Sequence, residues 1–482
     1  MAGIGFKLKK LLVQQGYISN AAAYFYSSIV IVGPMLICIS IILLAKFYMK
    51  RLGIANLDIE TLTATIVYCF VFSMLLTGGL AFVSSRYISD CLFSNKLNGI
   101  LDSYYTMQMI TSVVTAVAAA SFLFQSPLEN QVKLCTYLLF TVLSLIWIDM
   151  TYVSAFKEYN HILSSFFTGF ISMIVLALVA VNLLDMPEYE VLLFCIMIGF
   201  VILHLMLSVS IRRFYKPVVQ NTSSFSIIEF FKPHSVLFAT GSLLAAATYV
   251  HNFVFWISAG NTSVAHTYQY YPNYDIPSFY AILTVIPSIV LFVVSMETNF
   301  YTKYKNYFFL VLNEGISHEI KLAKKEMEET LFHELSRMME IQLLITFMSI
   351  VVGINVLAEL GFTSQFINCF TSLSFGSYVY IFFYINVLVL MYFDDKWGTF
   401  AMAASYFSLN IILSQISIAF GPSYYGYGYF VSGLFCLIGG MLRVNYYIKN
   451  IDYYTYCKQR LVESKPAVDA LTKENNLISK KV

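Results

Sequence analysis

The chain has 482 residues, 59% of them hydrophobic and 12% charged, with a net charge of +2 and a mean hydropathy of +0.72. A soluble fold of that composition would leave large apolar patches in water, so lipid is the implied solvent. The small net charge carries no nucleic-acid footprint and averages two surfaces of different sign.

Residues 1–16 interleave Phe6, Leu8, Leu11, Leu12 and Val13 with Lys7, Lys9 and Lys10 and lead to no small-residue cleavage site, so they predict an amphipathic interfacial helix and no cleavable signal. Beyond them run twelve apolar stretches, each long enough for the roughly 20 helical residues that a hydrocarbon core about 30 Å thick requires. Six lie in a first half, 17–211, at 25–47, 63–84, 105–124, 134–152, 162–184 and 189–210. A basic break at 212–233, with Arg212, Arg213, Lys216 and Lys232, reads as a linker between halves. The second half, 234–447, holds spans at 234–258, 279–299, 341–359, 377–393, 399–420 and 425–447. Within it, 301–340 is a hydrophilic insertion whose Ile320, Ala323, Met327, Leu331, Leu335 and Met338 share one face, which predicts a cytoplasmic amphipathic helix. The tail, 448–482, has little to bury. The fold class expected is an all-α polytopic membrane protein of two six-helix bundles.

Orientation follows from the breaks. Every Lys and Arg except Lys46, Lys50, Arg51 and Lys133 falls on the side of the N-terminus, which predicts that both termini face the cytoplasm. The eight cysteines are scattered without a C-x-x-C pair or a metal-ligand spacing, and no phosphate-binding loop is present, so neither a metal nor ATP hydrolysis is expected.

Ionisable groups at bilayer depth are the first functional candidates. By span position, no acid occupies mid-depth. Asp149 and Glu297 sit within a turn of the inner boundary, beside Arg86, Asp90, Asp394, Asp395 and Arg443, and these seven are expected to form ion pairs around an inner mouth or to anchor helix ends. His204 and His251 approach mid-depth, each read as a packed, hydrogen-bonded histidine. No acid is therefore expected to serve cation coupling.

Neutral polar and aromatic surface is abundant instead, with 36 Tyr and 42 Phe. Span seven carries Ser242, Tyr249 and Asn252 at helical spacing, and span eleven carries Tyr406, Asn410, Ser414 and Ser417. Such stripes either glue helices together or line a wet cavity. A neutral sugar suits the second use, since its C–H face lies on aromatic rings while amides and hydroxyls meet its OH groups. Two outer breaks are dense in tyrosine: Tyr268, Tyr270, Tyr271, Tyr274 and Tyr280 before span eight, and Tyr424, Tyr425 and Tyr427 before span twelve. They are read as an aromatic lip or as part of the interfacial belt. Pro34 and Pro287 interrupt spans and predict kinks.

Several stretches together resemble one family. They are Met1-Ala2-Gly3-Ile4-Gly5-Phe6, Leu76-Thr77-Gly78 with Arg86-Tyr87 and Asp90, Glu297-Thr298-Asn299-Phe300-Tyr301, Tyr392-Phe393-Asp394-Asp395 with Gly398, and the run from Gly421 to Tyr429. This set is similar to the PelG exopolysaccharide exporters of the polysaccharide-flippase and MATE-like superfamily. The resemblance implies two lobes around a central cavity in the bacterial cytoplasmic membrane, moving a growing, uncharged amino-sugar chain outward with no cofactor and no covalent chemistry. It also implies a cytoplasmic glycosyltransferase partner (PelF-like) and small membrane partners (PelD-like and PelE-like). Two other readings stay open: a cation-coupled MATE-like antiporter for small molecules, and a membrane scaffold for a polysaccharide synthase.

Overall fold

The computed structural model describes residues 39–457 apart from 95–97, 156–158, 183–188, 216–225, 314 and 360. The expected interfacial helix at 1–16, the first part of span one with Pro34, the middle of the inter-lobe linker at 216–225 and the tail from 458 lie outside the described residues. Helix dominates because a backbone in lipid must satisfy its own hydrogen bonds. The described part of span one is helical over 39–51 (α1). The rest of the first half is α2 (Asn56–Phe93), α3 (Asn98–Leu123), α4 (Asn130–Val153), α5 (Tyr159–Asn182) and α6 (Tyr189–Phe214). A short α7 (Ser226–Phe231) leads to α8 (Ser235–Ile257), a hairpin of β1 (Thr262–Val264) and β2 (Tyr268–Tyr270), then α9 (Pro272–Leu283), α10 (Ile286–Ser295), α11 (Tyr301–Leu312), α12 (Ser317–Glu359), α13 (Ser364–Tyr392), α14 (Lys396–Phe420) and α15 (Tyr427–Lys449). Eleven helical segments among the described residues are long and apolar enough to cross a bilayer. The protein is an all-α polytopic membrane protein.

The N-lobe forms as α4 packs against α2, α3 and α6, with α5 on the outer face of α6. In the C-lobe α14 packs on α8 and α15, and α13 packs on α15, α9 and α12. The two lobes meet along α2 and α8. At that seam Gly78 and Gly79 face Gly241, Ser242 and Ala245, and a Cβ built on Gly241 would come within 2.9 Å of the Gly78 carbonyl oxygen. Small residues let the backbones approach, as in other helix pairs in lipid. Further along the seam aromatic rings take over: Phe72 stacks on Phe253 at 5.7 Å and Tyr68 on Trp256 at 5.0 Å.

The insertion read as one amphipathic helix, 301–340, is built differently. Its first part is α11, and its second part is continuous with span nine as the 43-residue α12, about 65 Å long at 1.5 Å per residue. The apolar face read from the sequence is occupied: Ala323, Met327, Leu331, Leu335 and Met338 are buried, and α12 packs against α11. Span eight is broken into α9 and α10 just before Pro287, and a π-turn at Met296–Phe300 links α10 to α11. Side chains of α12 satisfy the groups freed by these breaks. Gln342 donates to the Thr284 carbonyl at 2.8 Å and accepts from the Ser288 hydroxyl at 2.8 Å. Glu334 accepts from Ser295 at 2.5 Å and from the Asn299 amide at 2.6 Å. Both are buried, so the irregular backbone is tolerated because protein surrounds it.

Candidate transport site

The stripe on α14 faces inward. Tyr406, Asn410, Ser414 and Ser417 recur every three or four residues, so they share one side of the helix, and all four are buried. Ser414 donates to Asn410 Oδ1 at 3.1 Å, and the Asn410 amide is turned toward the Tyr406 hydroxyl (3.4 Å) and the Ala247 carbonyl of α8 (3.5 Å). Around them stands a set of rings. Tyr406 lies 5.4 Å from Tyr380 and 4.7 Å from Phe383, the Tyr380 hydroxyl is 2.6 Å from that of Thr248, and Tyr429 lies 4.2 Å from the His251 ring. In this conformation the stripe ties α8, α13, α14 and α15 together inside the C-lobe. Tyr249, by contrast, points across the seam, its hydroxyl 3.5 Å from the Met74 sulfur on α2.

Asn252, the other polar residue singled out on span seven, leads to a group that the sequence reading passed over. Its amide donates to Asp275 Oδ1 at 2.7 Å, while the Trp256 indole and the Tyr271 backbone N–H donate to Oδ2, each at 2.8 Å. Asp275 sits in the first turn of α9, where an acid also suits the helix dipole. An aspartate four residues after Tyr271 at a Pro-initiated helix start was a legible signal of such a turn.

The two tyrosine clusters separate into a buried and an open set. Tyr268, on β2, is fully buried with its hydroxyl 3.0 Å from that of Thr65 on α2, and burial pushes its phenol above the ordinary range, so it stays neutral. Tyr274 stacks on Phe255 at 3.6 Å, and Tyr271 meets Tyr425 hydroxyl to hydroxyl at 3.1 Å. Tyr270 is half-buried beside them. These rings fasten the tyrosine-rich end of α8 to α9 and to the loop before α15. Tyr280, Tyr424 and Tyr427 are exposed at 39%, 51% and 49%, and they alone of the predicted lip offer free ring faces. The loop that presents the last two is bounded by Gly421 (φ 97°) and Gly426 (φ 89°), conformations that a side chain would strain.

At the opposite, basic end the seven predicted ion-pair residues do not form one group. Arg86 of α2 reaches Asp90 at 3.2 Å and crosses to Asp394, in the turn between α13 and α14, at 3.5 Å. Asp394 is also 3.6 Å from Lys396. Asp395 pairs instead within the C-lobe, taking two bonds from Arg443 at 2.9 and 3.1 Å while it caps α14 through the Gly398 N–H. A Cβ at Gly398 would lie 2.8 Å from the Arg443 Nε, so this tight turn excludes larger residues. The side chain of Glu297 lies outside the described residues. Asp149 belongs to none of these pairs. It is fully buried inside the N-lobe, where Tyr104 and Gln108 of α3 donate to Oδ1 at 2.9 and 2.6 Å and His204 Nδ1 of α6 lies 2.7 Å from Oδ2. The expectation that Asp149 joins ion pairs around an inner mouth is thereby corrected, since its partners all lie inside the N-lobe. The span position of Asp149 was read correctly as near a helix end, but which helices close over it is not written in its own segment.

The sequence matches, over residues 1–456, the model of a family described as "PelG: Putative exopolysaccharide Exporter (EPS-E)". The chain belongs to the PelG family. No curated protein matches the sequence closely enough to count as a relative. Among solved structures this PelG-family chain is similar to an outward-facing multidrug resistance MATE transporter of the MOP superfamily, at TM-score 0.64 and 12% identity, covering 88% of this chain and 96% of that one. It is similar also to the bent form of the MATE transporter VcmN from Vibrio cholerae (TM-score 0.62, 11% identity, 94% and 99% covered). A MOP superfamily transporter from Pyrococcus furiosus aligns at TM-score 0.60 and 12% identity over 88% and 96%. At such identities the likeness is one of fold: the chain has the MATE-like architecture, and membrane export is the activity of its family.

Proposed function

We propose that this protein carries an uncharged amino-sugar polymer of the Pel type outward across the bacterial cytoplasmic membrane, with no covalent chemistry of its own. Membership of the PelG family over residues 1–456 is the observation that carries this reading. The wealth of hydroxyl and ring surface at the tyrosine-rich end, with Tyr280, Tyr424 and Tyr427 exposed, supports a carbohydrate cargo, since rings bind the C–H face of a sugar without any charge. The bias of Lys and Arg supports a cytoplasmic position for both termini and the basic end. A PelF-like glycosyltransferase would elongate the chain at that end, and the α11–α12 hairpin projecting there offers it a surface, along with PelD-like and PelE-like membrane partners. Synthesis itself then supplies the driving work. In cells that make the synthase and lack this chain, polymer should accumulate inside; failure of the synthase to reach the membrane would instead favour a scaffold. The Asp149–His204 pair gives the rival antiporter reading a titratable group, and pH-driven efflux of cationic dyes from vesicles holding only this protein would decide for it.

A further inference from the structure

An isolated charge in lipid is costly, so ionisable residues that cross-link helices there mark function by default. The N-lobe holds one such set. The Asp149 carboxylate is 0% exposed, and its three side-chain donors come from Tyr104, Gln108 and His204, with neither lysine nor arginine among them. With a neutral imidazole donating from Nδ1, the set has a net charge of −1; with one proton more it is neutral. A low-dielectric interior penalises the lone charge of the first state more than the paired or neutral groups of the second. The His204 side chain is 18% exposed while that of Asp149 is sealed.

The surroundings hold few other charges. Tyr152 of α4 lies edge-on to Tyr104 at 5.2 Å and bonds Ser103 at 3.0 Å, with Tyr87 and Cys91 of α2 beyond it. On α6 itself Arg212 stands over the Tyr105 ring at 5.7 Å and acts on Tyr104 from a distance. Helix α5 meets α6 through Gly169 and Met173 against Gly199 and Leu203, none of which titrates.

We propose that Asp149 and His204 form a proton-binding site in the N-lobe, which takes up and releases one proton through the exposed edge of His204. The proton arrives from water on the Nε2 lone pair and leaves by the same edge, and no other bond changes. The α3–α4–α6 junction thereby changes its charge by one unit, which makes the protein responsive to protons whatever its cargo.

The test uses the full-length protein in lipid nanodiscs with ring-¹³C-labelled histidine. Among the 7 histidines the His204 signal is the one missing from H204Q. Followed from about pH 5 to about pH 9, that signal should change with pH in the wild type and follow a different curve in D149N. A signal that stays constant across this range in the wild type, or the same curve in both proteins, overturns the proposal. Should D149N fail to fold, a pH-indicator measurement of proton uptake decides: the wild type should take up one proton more than H204Q over the same range, and equal uptake overturns the site. Neither readout needs polymer, so a protein that titrates as expected and exports nothing would sink the export reading and leave the proton site standing.

Discussion

In each lobe one carboxylate is held by three hydrogen bonds, and the two sets of donors are opposite in kind. Asp275 in the C-lobe draws its hydrogen bonds from an amide, an indole and a backbone N–H, none of which changes charge. Asp149 in the N-lobe draws one of its three from an imidazole. The nearby C-lobe histidine, His251, is engaged elsewhere, by the Tyr274 hydroxyl at 3.0 Å and the face of Tyr429. Around Asp275 and the α14 stripe the C-lobe is a continuous set of rings, whereas the N-lobe cluster touches the ring of Tyr104, with Tyr105 and Tyr152 one ring further away. The same need, to satisfy polar groups away from water, thus yields a fixed scaffold in one half and a chargeable junction in the other. The seam of α2 and α8 joins the two halves, with backbones in close approach at Gly78 and Gly241.

The contrast breaks most visibly if the carboxylates are removed. Asp149→Ala leaves the Tyr104, Gln108 and His204 donors without an acceptor, and should cost about 3–5 kcal/mol, the range for a buried pair that loses one partner. Steric trapping or denaturant titration in detergent measures it. Asp275→Asn keeps the shape and turns one acceptor into a donor that faces either the Asn252 amide or the Trp256 and Tyr271 N–H groups; a loss of about 1–3 kcal/mol is expected. Asp149→Asn should also alter the pH dependence of stability, read as the slope of unfolding free energy against pH beside the wild type.

Much of this architecture was legible because lipid enforces it. Apolar runs of sufficient length had to be helices, and each span from the second onward falls within or across the helices found. What the runs did not disclose is where helices continue into water or stop within the bilayer. The spacing of Ala323, Met327, Leu331, Leu335 and Met338 was read correctly as one buried face, but periodicity does not say whether a helix ends at the membrane surface, and α12 runs on without a break. At the site the i, i+4 pattern of Tyr406, Asn410 and Ser414 gave a shared face, and not whether that face meets water or another helix. Asp149 was hardest of all, since its partners come from segments about 40 and 55 residues away in the chain, a distance over which no local pattern carries information.

Smaller effects test how firmly the C-lobe scaffold is set. Tyr406→Phe removes a hydroxyl whose bond to Asn410 is long, at 3.4 Å, and which also bonds Tyr429, so about 1 kcal/mol should be lost. The ring remains between Tyr380 and Phe383, and packing is unchanged. The double variant Tyr424→Ala and Tyr427→Ala sits at the low end for stability and separates folding from cargo handling. Both rings are about half exposed and touch each other at 6.0 Å, so their loss should alter stability by no more than about 0.5 kcal/mol. Secreted polymer should nonetheless fall while the amount of protein in the membrane stays constant. Tyr425→Ala is the matching control: that ring is buried against Phe255 at 4.8 Å and bonded to Tyr271, so removing it should lower stability and export together. Equal secretion from the wild type and the double variant would leave the exposed tyrosines as ordinary interfacial anchors and confine any sugar contact to surfaces deeper in the seam, where Tyr249 faces α2.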